Sequence, residues 1–407
     1  MKFNKWTLGL AAAGVVSLGS VVQAEEAQKM SQVLTAVSAT TLSGYVDTSA
    51  IWKFGTGNEN LPGRAFDGGP HNLGGNKLDG FNLNVVEIQL EKPLSEEQWA
   101  AGYRVQILAG PDANGYNVST LGGGSGAGSD FSLKDAYVAL RVPVANGVDV
   151  KVGSFSTVIG YESFESYLNP NYSRSFGWQL EPTQHTGVLA SYKASDAVSL
   201  SAGVANTWSA GLNARQDHLS GGPGTESEKT YMASISVTAP DSWGFLSGSA
   251  WYAGVIDGLA GNTKDTTSLY AGGSLKTPVE GLSVGAAFDY RFDGPTTVTP
   301  GNNWAYAIAG YASLQANDKW KFNARLDYTE GSDGTYYNRA GGLSRDNRLG
   351  AATLTADYAL WANVVSRAEL RWDHSMSGDK PYGGSTAGAA GDRRNAVTAA
   401  LNLIYKF

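Results

Sequence analysis

The chain has 407 residues, with 52 glycines, 11% aromatic residues, no cysteine and a formal net charge of −7. The acidic balance disfavours nucleic-acid binding, and the lack of cysteine excludes disulfides and thiolate chemistry. After the first two dozen residues, no apolar run is long enough for a membrane-spanning helix. A membrane-spanning β-barrel is still allowed, because its strands are only half apolar.

The amino terminus predicts export. Two lysines precede a short apolar centre, and Val22-Gln23-Ala24 is a small-x-small cleavage sequence, so residues 1–24 are typical of a signal peptide. Residues 25–40 have weak helical character and are too few for a domain, so we expect a flexible periplasmic lead-in. A transmembrane β-barrel would then occupy residues 41–407.

From Leu42 onward, apolar residues recur at every second position in segments of about ten residues, the length of tilted membrane strands. The later strands carry charged residues of both signs on the opposite face, with no apolar filling. The side chains predicted to face the lumen are those of Asp289, Arg291, Lys321, Arg325, Asp327, Arg367, Glu369 and Arg371.

The predicted connections alternate between long and short. The long ones lie near 55–80, 110–131, 156–183, 208–230, 254–266, 293–302, 330–346 and 375–394. The short ones lie at 93–98, 143–147, 193–197, 239–242, 277–281, 316–319 and 361–363. Long outer loops and short periplasmic turns are a property of transmembrane barrels. We therefore predict an all-β fold, a closed antiparallel barrel of about sixteen strands (14–18), wide enough for an aqueous channel.

The composition of the long loops divides them into two kinds, glycine-rich loops and one loop rich in aromatic residues. Glycine-rich stretches such as Leu121–Gly128 lack the strand-to-helix setting and the following Lys-Ser/Thr of a nucleotide loop. Loop 156–183 is different, because its many aromatic residues need a surface to pack on. We expect it to fold into the barrel and narrow the lumen.

This segment resembles the β-barrel porin family of Gram-negative bacteria, the OmpL-like group. The resemblance rests on Gly160-Tyr161-Glu162, Asn169-Pro170, Ser173-Arg174, Phe176-Gly177 and His185-Thr186-Gly187. It implies an outer-membrane porin and says little about the solute.

Glu162, Glu165, Arg174 and Glu181 are the candidate constriction residues. A carboxylate facing an arginine across a narrow pore creates a transverse field that favours small polar solutes. The alternative is that Glu162 and Arg174 tie the loop to the barrel wall through a charge-assisted bond. For His185 we expect a structural hydrogen bond.

The last strand ends in Tyr405 and Phe407, and Ile404 is the one apolar residue on its polar face. This strand resembles the carboxy-terminal signal of outer-membrane barrels, which implies recognition by the barrel assembly machinery. Outer-membrane lipid and lipopolysaccharide are the other expected partners, and a homotrimer is a further possibility.

The sequence thus predicts a porin for passive diffusion of small hydrophilic solutes, with no cofactor, no metal and no enzymatic activity. One alternative is a structural or adhesin barrel that acts through its Gly-rich loops without an open pore. An outer-membrane enzyme is disfavoured, because only four histidines are available and no Gly-x-Ser-x-Gly motif accompanies them. A loop metal site at His71 or His218 and a soluble secreted β-protein are the remaining alternatives.

Overall fold

The computed structural model describes residues 39–54, 80–115, 131–208, 212, 214–215, 228–260, 264–295, 303–337, 346–383 and 391–407. The predicted signal peptide, nearly all of the lead-in, and His71 and His218 lie outside these residues. No helix in the described part of the chain is long and apolar enough to cross a membrane.

Sixteen strands form one closed sheet in which each strand pairs antiparallel with its sequence neighbours and β1 pairs with β16. The predicted fold class and strand number are confirmed. The strands are β1 Thr41–Phe54, β2 Gly80–Lys92, β3 Ala101–Ala109, β4 Phe131–Val142, β5 Val148–Ser156, β6 Gln184–Lys193, β7 Val198–Ala205, β8 Thr230–Thr238, β9 Ala250–Ala260, β10 Lys264–Lys276, β11 Leu282–Asp293, β12 Asn303–Gln315, β13 Trp320–Gly331, β14 Asn347–Tyr358, β15 Val364–Ser375 and β16 Asn395–Lys406.

The period-two pattern divides each strand into an outward apolar face and an inward face. On β13, Leu326 is 68% exposed whereas its neighbours Arg325 and Asp327 are 1% and 5% exposed. This is the reverse of a soluble domain, in which the apolar face would be buried. The exposed apolar band therefore suits hydrocarbon as its solvent.

The barrel closes where the chain ends. The backbone groups of Gly44 and Phe407 exchange two hydrogen bonds, each 3.0 Å long. A Cβ at Gly44 would overlap the carbonyl oxygen of Glu87 and the Phe407 ring, so only glycine allows this close approach.

The strict alternation of long and short connections is wrong at two places. The predicted long loop near 254–266 is only residues 261–263, because Gly254 and Gly258 lie inside β9. The predicted short turn at 239–242 extends over 239–249 and contains a 3₁₀ helix, Asp241–Leu246. Glycine was therefore a poor indicator of loop structure in this part of the barrel.

Candidate functional site

The third outer loop, residues 157–183 between β5 and β6, reaches strands far from β5 in the closed sheet. Tyr172 donates a hydrogen bond to Ser49 of β1 at 3.1 Å. The backbone N–H of Phe176 donates at 3.1 Å to Asp327 of β13, which is eight strands from β5 and therefore on the opposite side of the barrel. A segment that leaves β5 and reaches β13 crosses the interior of the barrel.

Glu162 forms the central ion pair of the loop with Arg325 of β13. Arg325 Nη1 donates to Glu162 Oε1 at 2.9 Å, and both side chains are almost completely buried. Ser175 donates to the other Glu162 oxygen from its backbone N–H at 2.7 Å and from its hydroxyl at 2.9 Å. Charge-assisted bonds of this kind are strong and fix geometry, so Glu162 holds the loop to the wall.

Arg174 bonds within the loop. Its guanidinium donates to the carbonyl oxygens of Tyr172 and Phe164, at 2.8 and 2.7 Å, and is completely buried. These bonds link two parts of the same loop. Glu162 therefore forms the bond to the wall that the alternative describes, through Arg325, whereas these bonds of Arg174 brace the loop itself.

Glu165 is bound by the opposite wall. Lys134 Nζ of β4 lies 2.5 Å from Glu165 Oε1, and Gln106 of β3 donates to the same oxygen at 3.0 Å. Burial opposes ionisation of Glu165, but the Lys134 ammonium holds the pKa of this carboxyl below its ordinary value. Glu165 is therefore an ionised anchor.

Glu181 lies beside a second carboxyl group. Burial together with the neighbouring Asp289 and Glu162 carboxyls raises the pKa of Glu181 well above its ordinary value. A Cβ at Gly160 would overlap Glu181, and a Cβ at Gly177 would overlap Asp289. These two motif glycines therefore provide the space that the carboxyl pair occupies.

Strand β15 binds the loop backbone. Glu369 accepts hydrogen bonds from the backbone N–H groups of Tyr172 and Ser173, at 2.6 and 3.0 Å. Arg371 donates to the Arg174 carbonyl at 2.5 Å, and Arg367 donates to the Ser166 carbonyl at 2.9 Å. Peptide groups removed from water thus find partners on the wall, as buried polar groups require.

The other predicted residues lie as follows. Asn169 closes a turn through bonds to both backbone groups of Ser163, and Pro170 follows it after the 3₁₀ helix Ser166–Leu168. The His185 ring contacts the Thr157 hydroxyl and the Thr207 carbonyl oxygen. In the pairing of β6 with β5, Thr186 lies opposite Ser154 and Gly187 lies opposite Gly153. Arg291 forms an ion pair with Asp293, and Lys321 is half-buried on β13.

The expectation that the inward faces carry no apolar filling is wrong. Phe164 packs with the inward side chains of Tyr45, Val85, Leu108 and Ile404. Ile404 is the residue that breaks the polar pattern of the last strand, and its contact with the loop explains the exception. Aromatic loop side chains and apolar wall residues thus form a small core inside the barrel.

The sequence did not identify Lys134 and Gln106, which lie where the pairing of β3 and β4 shifts register and where Lys134 and Asp135 are buried in succession. Periodicity shows which residues point inward. It does not show which of them a loop will reach, since that depends on how the loop crosses the barrel.

The sequence matches the family model described as "Putative beta-barrel porin-2, OmpL-like" over residues 39–407. No curated protein matches the sequence at a significant level. Among solved structures, the barrel is similar to the outer-membrane channel DcaP of Acinetobacter baumannii, with a TM-score of 0.56 and 12% identity over 90% of this chain and 97% of that chain.

The anion-selective porin from Comamonas acidovorans has a TM-score of 0.54 and 12% identity, with 90% and 99% of the two chains covered. The trimer form of OmpT, an outer membrane protein of Vibrio cholerae, has a TM-score of 0.56 and 11% identity with the same coverage. At these identities the likeness shows the fold. The family match and the closed barrel together establish that this chain belongs to the OmpL-like β-barrel porin family and is a porin-type barrel of the outer membrane.

Proposed function

We propose that this barrel is a porin for passive diffusion of small hydrophilic solutes, and that the third loop narrows its channel. The observation that carries the proposal is the pair of anchors on opposite walls, Glu165 on Lys134 and Glu162 on Arg325. A loop fastened at both sides reduces the open cross-section. It leaves solutes only the space beside it.

Glu162, Glu165, Arg174 and Glu181 act in this proposal mainly by holding the loop in place. Each of these side chains engages the wall or the loop itself, so the loop backbone and its neighbours set the width of the channel. Wall charges of both signs are paired with each other, as in Arg371 with Asp373 at 2.9 Å. We therefore expect weak ion selectivity, which a strongly cation- or anion-selective reversal potential would contradict.

The family and the fold favour a channel without enzymatic activity. In the part of the chain that the structure describes, no three His, Cys, Asp or Glu side chains are grouped so that they could hold a metal ion. We further propose a homotrimer, with the trimer form of the similar OmpT barrel as precedent. Native mass spectrometry of the detergent-extracted protein would test this, and a monomer at all protein concentrations would contradict it.

Liposome swelling tests the function directly. Purified mature protein is reconstituted into vesicles, which are then diluted into iso-osmotic solutions of uncharged solutes of increasing size. We expect swelling rates that fall steeply with solute size, because the third loop leaves a narrow path. Correctly folded protein that gives no swelling with the smallest solute would contradict the proposal and favour a structural or adhesin barrel.

A further inference from the structure

We propose that a cavity at the outer mouth of the barrel, here called the mouth cavity, is a binding site for a small uncharged polyhydroxylated solute of monosaccharide size. Its role in uptake rests on the proposed porin function, whereas binding itself does not. The cavity has a volume of about 250 Å³ and lies where the third loop meets the outer ends of β11 and β12 and the segment after β13. The lining residues used in the argument are Gln179, Arg291, Asp293, Asn303 and Asp333.

Arg291 is held in one orientation before any solute arrives. Its Nε and Nη2 donate to the two carboxylate oxygens of Asp293, at 2.8 and 3.1 Å. Its guanidinium lies over the ring of the buried Trp208, 4.3 Å from the ring centre. Thr266 donates to Asp293 at 3.0 Å and fixes the carboxylate in turn. A side chain ordered in this way loses little entropy when a ligand binds.

Two amide side chains complete the polar lining. Within the described residues, the Asn303 side chain has one long contact, 3.4 Å from the Ser332 hydroxyl, and the Gln179 side chain has no hydrogen bond to a protein group. Each amide can both donate and accept. Together with Arg291 and Asp293, they present both hydrogen-bond donors and acceptors to one small space.

The charges select the class of solute. Among the described lining residues, Arg291 is the one cation and Asp293 already neutralises it, whereas Asp333 is exposed and its charge is screened by solvent. Neither an anion nor a cation would therefore meet an uncompensated buried charge among these residues. Hydroxyl groups donate and accept at the same time, so a neutral polyol can satisfy carboxylate, guanidinium and amide groups together.

The volume sets the size of the solute. Pockets for drug-sized ligands typically measure about 300–1,000 Å³, so a cavity of about 250 Å³ fits one sugar ring better than an oligosaccharide. Because Gln179 and Leu180 of the third loop line it, the cavity lies against the loop that is proposed to narrow the channel.

Saturation-transfer difference NMR on the folded protein in detergent tests binding without requiring conductance. The probes are D-glucose, sodium gluconate and glucosamine, which are similar in size and differ in charge. We expect the strongest transfer to glucose and the weakest to gluconate. Asn303→Ala should weaken glucose binding about fivefold, the effect of one lost hydrogen bond. Asn146→Ala, in the turn between β4 and β5, is the matched control and should leave binding unchanged.

Strongest transfer to gluconate or to glucosamine, equal transfer to all three probes, or equal binding by the two asparagine variants would each overturn the proposal. Vesicle swelling with the same preparation separates this failure from failure of the porin function. Swelling without specific glucose transfer refutes only the mouth cavity as a binding site. Glucose transfer without swelling refutes the channel and leaves the site in place.

Discussion

At the scale of the residue, fully buried charges hold the third loop. Arg325 donates to Glu162, to Asp327 and to the carbonyl oxygens of Ser173 and Arg174. Removing a charge from such a network leaves its partners buried and unpaired, which costs far more than the loss of an exposed pair.

Arg325→Met should therefore lower the free energy of unfolding by about 3–5 kcal/mol, because it removes the Arg325 ion pairs of the buried Glu162 and Asp327 carboxylates. Urea unfolding followed by tryptophan fluorescence measures this change. Arg348→Met is the control, since Arg348 is half exposed on the outward face and pairs with Glu330. Equal effects of the two substitutions would show that Arg325 is not a structural anchor.

Gly177→Ala tests the space taken by the carboxyl pair. Its new methyl group would overlap the carboxylate of Asp289. Because that carboxylate is buried among its neighbours, we expect the loop to move away from β11. We expect a larger single-channel conductance for this variant. Gly310→Ala is the matched control, because a Cβ at that position meets no atom within 4 Å. Identical conductance in the two variants would rule out tight packing of the loop at Gly177.

At the scale of the element, the sequence was sufficient to predict the strands, but it did not predict which wall residues the third loop contacts. Period-two alternation sufficed for β13 and β16, since each position has one of two orientations. The third loop was recognisable by its aromatic residues and motif. However, the pairing of Glu162 with Arg325 joins residues far apart in the chain, and no local pattern encodes which inward arginine lies opposite a given carboxylate.

The same limit explains the errors. Gly254 and Gly258 of β9 resembled loop residues, although they lie in a regular strand. Ile404 looked like an irregularity because its partner, Phe164, belongs to a loop that crosses the barrel. In each case tertiary packing, and not the local sequence, determined the role of the residue.

Because the pKa of Glu181 is raised, we expect the conductance of the channel to depend on pH. The pKa of Glu181 is raised while the third loop is held against the wall. The stability that protonated Glu181 gives to this arrangement is therefore complete below the ordinary pKa of 4.5, and it is lost as pH rises through the raised pKa. Ionised Glu181 would then repel Asp289, and conductance should increase with pH. Glu181→Gln keeps a hydrogen-bond donor and should flatten this dependence.

Glu97→Gln, in the exposed turn after β2, is the control for the pH measurement and should behave like the wild type. If conductance of the wild type does not change with pH while the barrel stays folded, Glu181 does not couple to the loop. An unchanged pH dependence in Glu181→Gln would assign the effect to other groups.

At the scale of the whole molecule, β1 and β16 close the barrel, and Phe407 extends their pairing by two backbone bonds to Gly44. Deletion of Phe407 removes both backbone bonds to Gly44 and the terminal aromatic residue of the proposed assembly signal. We expect several-fold less heat-modifiable, folded barrel in outer-membrane fractions. Phe245→Ala, an exposed aromatic residue in the turn after β8, is the control. Equal yields would show that Phe407 serves neither closure nor assembly.

Single-channel recording in planar bilayers tests whether the third loop narrows an open channel, with the mature wild type compared with a deletion of Tyr161–Trp178. A deletion of residues 384–390, between β15 and β16, controls for loop shortening in general. We expect discrete wild-type openings, clearly larger openings after the first deletion and unchanged openings after the control. Silent bilayers with folded protein, or equal conductance in all three, would show that the third loop does not narrow an open channel.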